Sequence, residues 1–371
     1  TSTSATNTVI AASLADAWNA SGSPVAQRVT ASVSGVRITL TADTAGVPFT
    51  IASSVSGGDA TIGSYTAVTA TSGPNDYNTA ENWAAGSKPS AEGDDVYLTP
   101  ENNVGILWGL NQSGTEIDSF HVEPGYSGTI GGSDGGYLQL HLGNTEVFSY
   151  TGTGTAYIDV GASTISPVIE RTAIPGSGKH GLYFKGTAIA DFFLRRGYVG
   201  FGVEEDDTTS KCNVFYVSYM TSQKSDSHLV IGSGVTDTAA GGTTEPDVQQ
   251  SGGTVTSDCD IDVLTVTGGS KYTQRGAGTQ FTTGHIRAPI NLSIDGNGTY
   301  VTLNLGSGCT LDNRRNMQAK TITNLNVTSN DISIHDPSSK LTLSNGVIAG
   351  TGIYLDNCYF NFGAGRTLAI S

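Results

Sequence analysis

The densest group of acidic residues in the chain is the run Glu204-Glu205-Asp206-Asp207. Glycoside hydrolysis needs two carboxyl groups beside the bond that is cleaved, one acting as the acid and the other as a base or nucleophile. Two acidic residues that are adjacent in sequence need not lie on the two sides of a substrate bond. The run is therefore interpreted first as a solvated loop, and a polysaccharide-cleaving site is the alternative.

Two glycine-containing segments partly match motifs of catalysis and of nucleotide binding. Residues 131–135, GGSDG, fit the G-x-S-x-G nucleophile elbow, but no helical pattern follows the serine. In the segment Gly176-Ser-Gly178-Lys179, the phosphate-loop positions for the first glycine and the magnesium-binding hydroxyl hold Ala173 and His180. The first segment is interpreted as a glycine turn, and nucleotide binding is not expected at the second.

The segment Asp258-Cys-Asp260-Ile-Asp262 begins like a calcium-binding loop. Val263 and Gly269 nevertheless occupy the positions of its required glycine and its bidentate glutamate. The alternation instead predicts a strand whose three carboxylates face solvent, while the cysteine and isoleucine between them face the core. Weak cation binding remains the alternative.

The histidines and cysteines also lack the spacing of metal ligands. The six histidines, at positions 121, 141, 180, 228, 285 and 335, form neither an HxxxH nor an HExxH pattern. The four cysteines, at positions 212, 259, 309 and 358, recur about every 50 residues and form no CxxC motif. We interpret them as separate, reduced, buried thiols, with long-range disulfides as the alternative. The motifs together predict no catalytic residue, no cofactor and no metal site.

The composition excludes several classes of protein. Only 14% of the 371 residues are charged, against about 25% in ordinary domains, which excludes a long coiled coil. No stretch approaches the roughly 18 apolar residues of a membrane helix, so no membrane partner is expected. The net charge of −15 and the pI near 4.6 repel a phosphate backbone, so nucleic acid is not an expected partner either.

Residues 7–20 have the only convincing helical pattern, with Asn7 as the expected N-cap. The predicted buried stripe consists of Ile10, Leu14, Ala17 and Trp18. Alternating residues on either side of a Ser34-Gly35 turn then predict a hairpin for the helix to cover, and a further strand is predicted from Val47 to Ala52. Residues 1–70 are thus expected to form a small α+β attachment module.

Residues 71–95 are predicted to be a linker and solenoid cap, in which the ring of Trp83 seals the first coil. The alternative places Trp83 in the core of the preceding module. The strand that follows is expected at Val96 to Leu98.

From residue 96 onward, short β-branched runs alternate with Gly, Asn, Asp and Ser. One strand-and-turn sequence pattern recurs at residues 117–122, 261–266 and 322–327. This recurrence indicates stacked coils of about 20 to 25 residues. Residues 96–371 are therefore predicted to form a right-handed parallel β-helix, or β-solenoid, and a sandwich is the alternative. The predicted inward-facing residues include Leu264, Val266, Leu325 and Val327.

The region from 182 to 220 concentrates aromatic and large apolar residues, which predicts a wide core coil, with an oligomer contact as the alternative. The residues concerned are Leu182, Tyr183, Phe184, Phe192, Phe193, Leu194, Tyr198, Phe201, Phe215, Tyr216 and Tyr219.

Several segments resemble structural proteins of tailed bacteriophages and prophages. TADTAGVPFTI, residues 41–51, is similar to a small module of such proteins, and SGPNDYNTAENWAAGSKPSAEGDDVYL, residues 72–98, resembles the start of a β-solenoid in them. ILWGLNQSGTEIDSFHV and SDSHLVIGSGV continue the likeness over most of the chain. The resemblance implies a virion component and carries over no catalytic residue.

The sequence therefore predicts a non-enzymatic virion structural protein, a capsid decoration, fibre or tail-associated component that acts by assembly and surface projection. The expected partners are further copies of the chain, as a homotrimer, capsid or tail proteins of the particle, and host surface polysaccharide. A tailspike-like receptor-binding protein or polysaccharide-degrading enzyme is one alternative. A secreted bacterial adhesin is the other, and it would need an export signal or anchor that is not visible here.

Overall fold

The computed structural model describes residues 6–24, 26–44, 49, 73–132, 136–175, 178–204, 207–218, 227–238, 244–315, 318–337, 340–349, 351–356, 361–362 and 368–370. The chain is mainly β, with 47% strand and 6% helix, as the sequence predicted. It divides into two compact units. The N-terminal unit comprises Thr1–Lys88 with Ile106–Leu110, and the solenoid unit comprises Pro89–Gly105 with Asn111–Ser371.

The helix of the N-terminal unit, α1 (Asn7–Asn19), is confirmed, but it presents a different face from the predicted one. Its buried residues are Ala11 and Ala15, whereas Ile10 and Leu14 are 45% and 56% exposed. The predicted Asn7 cap is also wrong, because the N-cap residue is Thr6, whose side chain makes no capping hydrogen bond.

Hydrogen bonds to the following hairpin explain the rotation of α1. Trp18 Nε1 donates to the Val29 carbonyl oxygen at 2.7 Å. The Asn19 side-chain amide pairs with both backbone groups of Ala31, at 2.9 and 2.8 Å. These bonds turn the small alanines toward the hairpin, and the larger apolar residues remain outside.

The predicted hairpin is present as β1 (Val29–Ser34) and β2 (Arg37–Ala42), which pair antiparallel. Its turn lies at Gly35-Val36, one residue later than predicted. Gly35 has a φ of +62°, a left-handed conformation that suits the first central residue of a two-residue hairpin turn. Short 3₁₀ helices span Ala26–Arg28 and Ala80–Asn82. Of the strand predicted from Val47 to Ala52, Phe49 alone is described, and it is not assigned to a strand.

The solenoid unit consists of parallel strands in about 11 turns. Most turns contribute one strand to each of two rows of paired strands, called here the first and the second sheet, which are joined through β5. The first sheet contains β3 (Asp95–Leu98), β4 (Asn111–Val122), β5 (Leu138–Tyr150), β7 (Val168–Ile169), β9 (Ile189–Leu194), β11 (Cys212–Val217), β13 (Asp247–Gln250), β15 (Ile261–Val266), β17 (Phe281–Ile286), β19 (Thr299–Leu305), β21 (Lys320–Val327), β23 (Leu341–Ile348), β25 (Asn361–Phe362) and β26 (Leu368–Ile370).

The second sheet begins at the first residues of β5, which pair with β6. It contains β6 (Ala156–Asp159), β8 (Leu182–Lys185), β10 (Gly197–Phe201), β12 (Ser227–Ile231), β14 (Thr254–Ser257), β16 (Lys271–Gln274), β18 (Asn291–Ile294), β20 (Thr310–Asp312), β22 (Ile332–His335) and β24 (Ile353–Asp356).

Ladders of inward-facing residues run through the solenoid core. Val266, Ile286, Leu305, Val327 and Ile348 are successive register partners about 20 residues apart, close to the predicted coil length. The four residues predicted to point inward are fully buried, so that prediction is confirmed. The three copies of the recurrent sequence pattern lie in β4, β15 and β21, all in the first sheet.

The aromatic region divides its residues between two faces because side chains alternate along each strand. The core interpretation is confirmed for one set, which is fully buried: Leu182, Phe184, Phe192, Leu194, Phe201 and Phe215. A second set faces outward and is half-buried: Tyr183, Phe193, Tyr198 and Tyr216. Tyr219 lies outside the described residues.

The cysteines behave as predicted where the structure describes them. Cys212, Cys259 and Cys309 are free and buried, and burial raises the pKa of each thiol. Cys358 falls outside the described residues. The buried thiols therefore act as small apolar groups of the core.

Trp83 belongs to the N-terminal unit, where it is half-buried. Its Nε1 donates to the Tyr77 carbonyl oxygen at 2.8 Å, and the two rings meet edge to face with centroids 4.8 Å apart. The sealing role of Trp83 stays a prediction. The strand predicted after it is confirmed as β3.

Candidate functional site

A row of outward-facing tyrosines crosses successive coils of the second sheet. Tyr157 and Tyr183 are register partners on β6 and β8, and their rings stack with centroids 4.3 Å apart and an interplanar angle of 2°. Tyr137 precedes the pairing of β5 with β6 and packs edge to face on Tyr157, at 5.6 Å. Parallel in-register pairing thus places rings from three coils side by side.

A histidine ring takes the next place in this row. Gly200 is the register partner of Tyr183, and a Cβ atom on it would lie 2.6 Å from His180 Cδ2. The glycine therefore makes room for His180, whose ring packs edge to face on Tyr183 at 5.1 Å. Burial lowers the pKa of His180 below its usual value, so the ring is neutral at pH 7.

His180 and Tyr183, at one end of this row, line a cleft of about 540 Å³. His180, Tyr183 and Val230 contribute its aromatic and apolar surface, and Glu204, Asp258 and Arg275 are its charged lining residues. Ligand sites commonly occupy roughly 300–1,000 Å³ and combine apolar walls with a few polar groups. The cleft has the size and the mixed lining of a small-molecule site.

At one side of the cleft, Glu204 is held in a small charged network. Its Oε2 atom lies 3.0 Å from Lys185 Nζ, and the Tyr137 hydroxyl donates a hydrogen bond to the same carboxylate. Lys185 Nζ also lies 4.1 Å from the centroid of the Tyr137 ring. Burial, followed by the charge of Glu204, raises the pKa of Tyr137. The carboxylate is therefore positioned by two neighbours.

At the other side, Asp258 and Arg275 form a bidentate ion pair. Arg275 Nε and Nη2 donate to the two carboxylate oxygens of Asp258, each at 2.6 Å. This fork-to-carboxylate geometry fixes both side chains. Each acid that lines the cleft thus has a cation as its partner.

The acidic run that suggested a hydrolase is divided in the structure. Glu204 lines the cleft, whereas Asp207 is buried and accepts hydrogen bonds from Thr209 and Ser210. Burial opposes ionisation of Asp207, but these hydrogen bonds outweigh it and lower its pKa. The solvated-loop interpretation is therefore wrong for Asp207, because the carboxylate organises a turn. Glu205 and Asp206 lie outside the described residues.

Nearby, Asp159 is the outward neighbour of Lys185 in the register of β6 and β8. Burial raises the pKa of Asp159, and the charges of Asp207 and Glu204 raise it further. The hydrogen bond from Gly161 N and the charge of Lys185 act in the opposite direction. Acidic groups thus cluster beside the cleft, and Lys185 partly balances them.

The other candidate motifs contribute at most single residues to the cleft: Asp258 comes from the calcium-like segment, and Gly178 and His180 come from the segment that resembles a phosphate loop. In the segment from Asp258 to Asp262, the cysteine and isoleucine are buried, as the alternation predicted, and the three carboxylates are half-buried. The predicted strand is wrong for the first three residues, because β15 begins only at Ile261. Within the described ranges, no group of three or more potential metal ligands occurs. Gly132 and Gly136 exchange backbone hydrogen bonds around the predicted glycine turn, but Ser133 itself is outside the described residues. Lys179 lies three positions before the first residue of strand β8.

Sequence reasoning missed most of the cleft. His180 and Arg275, which line it, were not grouped with each other or with the neighbouring Tyr137, Tyr157 and Lys185, because these residues come from several coils and meet only through the register. The available signal was the alternation of β6 and β8, which places a tyrosine and then a charged residue outward in both strands.

The fold and the cleft define the class of this protein: a parallel β-solenoid that carries an aromatic, charge-paired cleft on one sheet. Among protein families, curated proteins and solved structures, the chain has no significant match. Helix α1 and the other described helices are too short or too polar to cross a membrane.

Proposed function

We propose that this chain is a non-enzymatic structural protein of a bacteriophage particle that acts by assembly. The sequence resemblance described above suggests the particle. The observation that carries an assembly role is the exposed apolar face of α1, formed by Val9, Ile10 and Leu14, which are 54%, 45% and 56% exposed.

This apolar face suits attachment to another protein. A helix normally turns its larger apolar residues toward the core of its own domain, but α1 turns alanines inward instead. Leu14 and Trp18 also border a shallow depression of about 390 Å³. Contiguous apolar residues exposed to water mark surfaces that other chains cover. The proposed partner is a capsid or tail protein of the particle.

The solenoid unit would contribute shape and self-association. Its composition offers few charges to oppose contact between copies, and parallel sheets of this kind expose long outer faces. Closed cyclic symmetry covers such faces without forming an endless fibre. A homotrimer in the virion is the assembly we propose.

The arrangement of acids in the cleft supports a role without turnover. A glycosidase needs one carboxyl group that gives up a proton and a second that attacks or activates water. Glu204 forms an ion pair with Lys185, and both carboxylate oxygens of Asp258 accept hydrogen bonds from Arg275. These ion pairs hold both carboxylates in place, which suits binding.

Purified protein at micromolar concentration is expected to have the mass of a trimer, because association buries the weakly charged faces. Multi-angle light scattering after size exclusion measures this directly. A stable monomer mass, together with no contacts between copies in the assembled particle, would remove the trimer proposal.

Replacing Ile10 and Leu14 together by aspartate is expected to abolish incorporation into particles. Both side chains are already exposed, so the free protein should keep its melting temperature while the docking face gains two charges. Gradient-purified particles assembled with tagged protein can be probed by immunoblot. Ser13→Asp, at an exposed position of the same helix, is the matched control and should be incorporated normally. Equal incorporation of the double variant, or absence of the wild-type chain from particles, contradicts the attachment role.

A further inference from the structure

We infer that the outer face of strands β17, β19, β21 and β23 is the surface through which copies of this chain associate. The inference rests on the proposed homotrimer and names the surface that forms it. The four strands are successive neighbours in the first sheet and belong to the solenoid unit. Their outward-facing side chains are called the uncharged face below.

The uncharged face contains no Asp, Glu, Lys or Arg. The four strands, FTTGHI, TYVTLNL, KTITNLNV and LTLSNGVI, hold one charged residue, Lys320, and its side chain is buried. Most of the outward residues are Thr and Asn. By contrast, the preceding strand β15 carries Asp262, and strands β16 and β20 of the second sheet carry Lys271 and Asp312. A chain with a net charge of −15 thus keeps formal charge off this area.

Side-chain hydrogen bonds between coils hold the uncharged face in shape. Asn326 Nδ2 donates to Asn304 Oδ1 at 2.8 Å, and Asn304 Nδ2 lies 3.1 Å from His285 Nδ1. Alongside them, Asn345 Nδ2 donates to Asn324 Oδ1 at 3.2 Å. Because these bonds already restrict the side chains, little conformational entropy is lost when another surface covers them.

Two apolar side chains lie among these polar ones and are exposed to water. Val301 on β19 and Val347 on β23 are 41% and 42% exposed. A partner that covers them removes apolar surface from water, which favours association. The threonine hydroxyls and asparagine amides around them both donate and accept hydrogen bonds. The uncharged face therefore offers apolar contact and hydrogen bonds together.

The absence of charge favours a copy of the same chain as the partner. In a trimer, residues close to the three-fold axis meet the same residues of the other copies. A carboxylate or an ammonium group there would face its own charge, whereas an amide can pair with an identical amide. A different partner of this acidic chain would gain from basic groups opposite carboxylates, and the uncharged face has no carboxylate to offer.

The test measures the mass of a double lysine variant by multi-angle light scattering after size exclusion. Val301→Lys with Val347→Lys places two ammonium groups on the uncharged face, and both positions are already exposed, so the chain should fold. We expect the mass at micromolar concentration to fall from that of three chains to that of one. The lysines bring the net charge of −15 closer to zero. General repulsion between copies therefore decreases and cannot explain the dissociation.

Thr310→Lys with Tyr354→Lys is the matched control. These residues lie on β20 and β24 of the second sheet, the strands that directly follow β19 and β23 in the chain. This variant should keep the mass of a trimer. Asn345→Asp preserves the shape of an exposed side chain and adds one carboxylate per copy to the uncharged face. It should raise the dissociation constant at least tenfold, and it decides the result if circular dichroism shows that the double lysine variant is unfolded.

Three outcomes would overturn the inference while the proposed homotrimer stands. The folded Val301→Lys, Val347→Lys variant remains a trimer like the wild type, the control dissociates to the same extent, or Asn345→Asp leaves the dissociation constant unchanged. A monomeric wild type would instead remove the homotrimer and this surface with it. Attachment through α1 is measured on particles and is unaffected by any of these results.

Discussion

Replacing Phe192 by alanine should lower the free energy of unfolding of the solenoid by about 3–5 kcal/mol, the usual range for a buried aromatic residue. Phe192 is fully buried. Its ring lies 5.4 to 5.9 Å, centroid to centroid, from those of Phe184, Phe201 and Phe215. Phe184 belongs to the same coil as Phe192, and Phe201 and Phe215 belong to the next coil. Truncation therefore removes contacts within a coil and between coils and leaves a cavity. Urea denaturation followed by far-ultraviolet circular dichroism measures the loss, because all three tryptophans belong to the N-terminal unit and do not report on the solenoid.

The neighbouring residue provides the control for this prediction. Phe193 has the same side chain on the same strand but points outward, where it is half-buried against Tyr216. Phe193→Ala should cost clearly less than Phe192→Ala, because the ring is partly exposed and its removal leaves no enclosed cavity. Equal losses for the two variants would contradict the alternation of β9 on which the core description depends.

The stability of the protein relative to a Lys320→Met variant should rise between about pH 8 and pH 10.5. Lys320 is 3% exposed, and its Nζ donates to the Ile294 carbonyl oxygen. Burial lowers the pKa of Lys320 from 10.5 to about 8, although the charges of Asp295 and Asp336 act in the opposite direction. Between these two pKa values the unfolded chain binds a proton that the folded chain does not. Raising the pH through this window therefore favours the folded state, by about 3 kcal/mol in total.

Measuring the difference between the two proteins is necessary because other groups titrate in the same window. Burial raises the pKa of the Cys259 and Cys309 thiols to about 12, from 9 in the unfolded chain. The folded state keeps those protons while the unfolded state loses them, so their contribution to stability falls as the pH rises above 9. This loss is common to both proteins and cancels in the difference.

Chemical denaturation at a series of pH values from 7 to 10.5 gives the required free energies. Lys340→Met is the matched control, since Lys340 is exposed on the neighbouring chain segment and its backbone carbonyl accepts from Lys320 N. That variant should keep the pH-dependent rise. A difference between wild type and Lys320→Met that is constant with pH would show that the buried amine stays charged.

The amino-acid sequence by itself determined the solenoid and its inward-facing residues. The period of two along a strand decides which side chains face the core, and that period is readable wherever apolar and polar residues alternate. Val266 and Val327 were correctly predicted to face the core, because each belongs to such an alternation within a recurring sequence pattern. The regular spacing of the cysteines likewise pointed to separate buried thiols rather than to a metal site.

Local patterns were insufficient for α1, because two apolar surfaces compete on that helix. The spacing favours Ile10 and Leu14 as the buried pair, whereas the structure buries Ala11 and Ala15. The deciding interactions are hydrogen bonds from Trp18 and Asn19 to the hairpin. Such contacts depend on tertiary geometry and produce no periodic pattern of residues in the sequence.

Only the tertiary structure brought the residues of the cleft together. Tyr183, Glu204, Asp258 and Arg275 are far apart in sequence, and they meet because several coils stack in register. The strand pattern shows that a side chain points outward, but the lengths of the connecting loops decide which outward residues become neighbours. Those lengths vary from coil to coil, so the core could be inferred from repetition, whereas the site depended on the actual register of the coils.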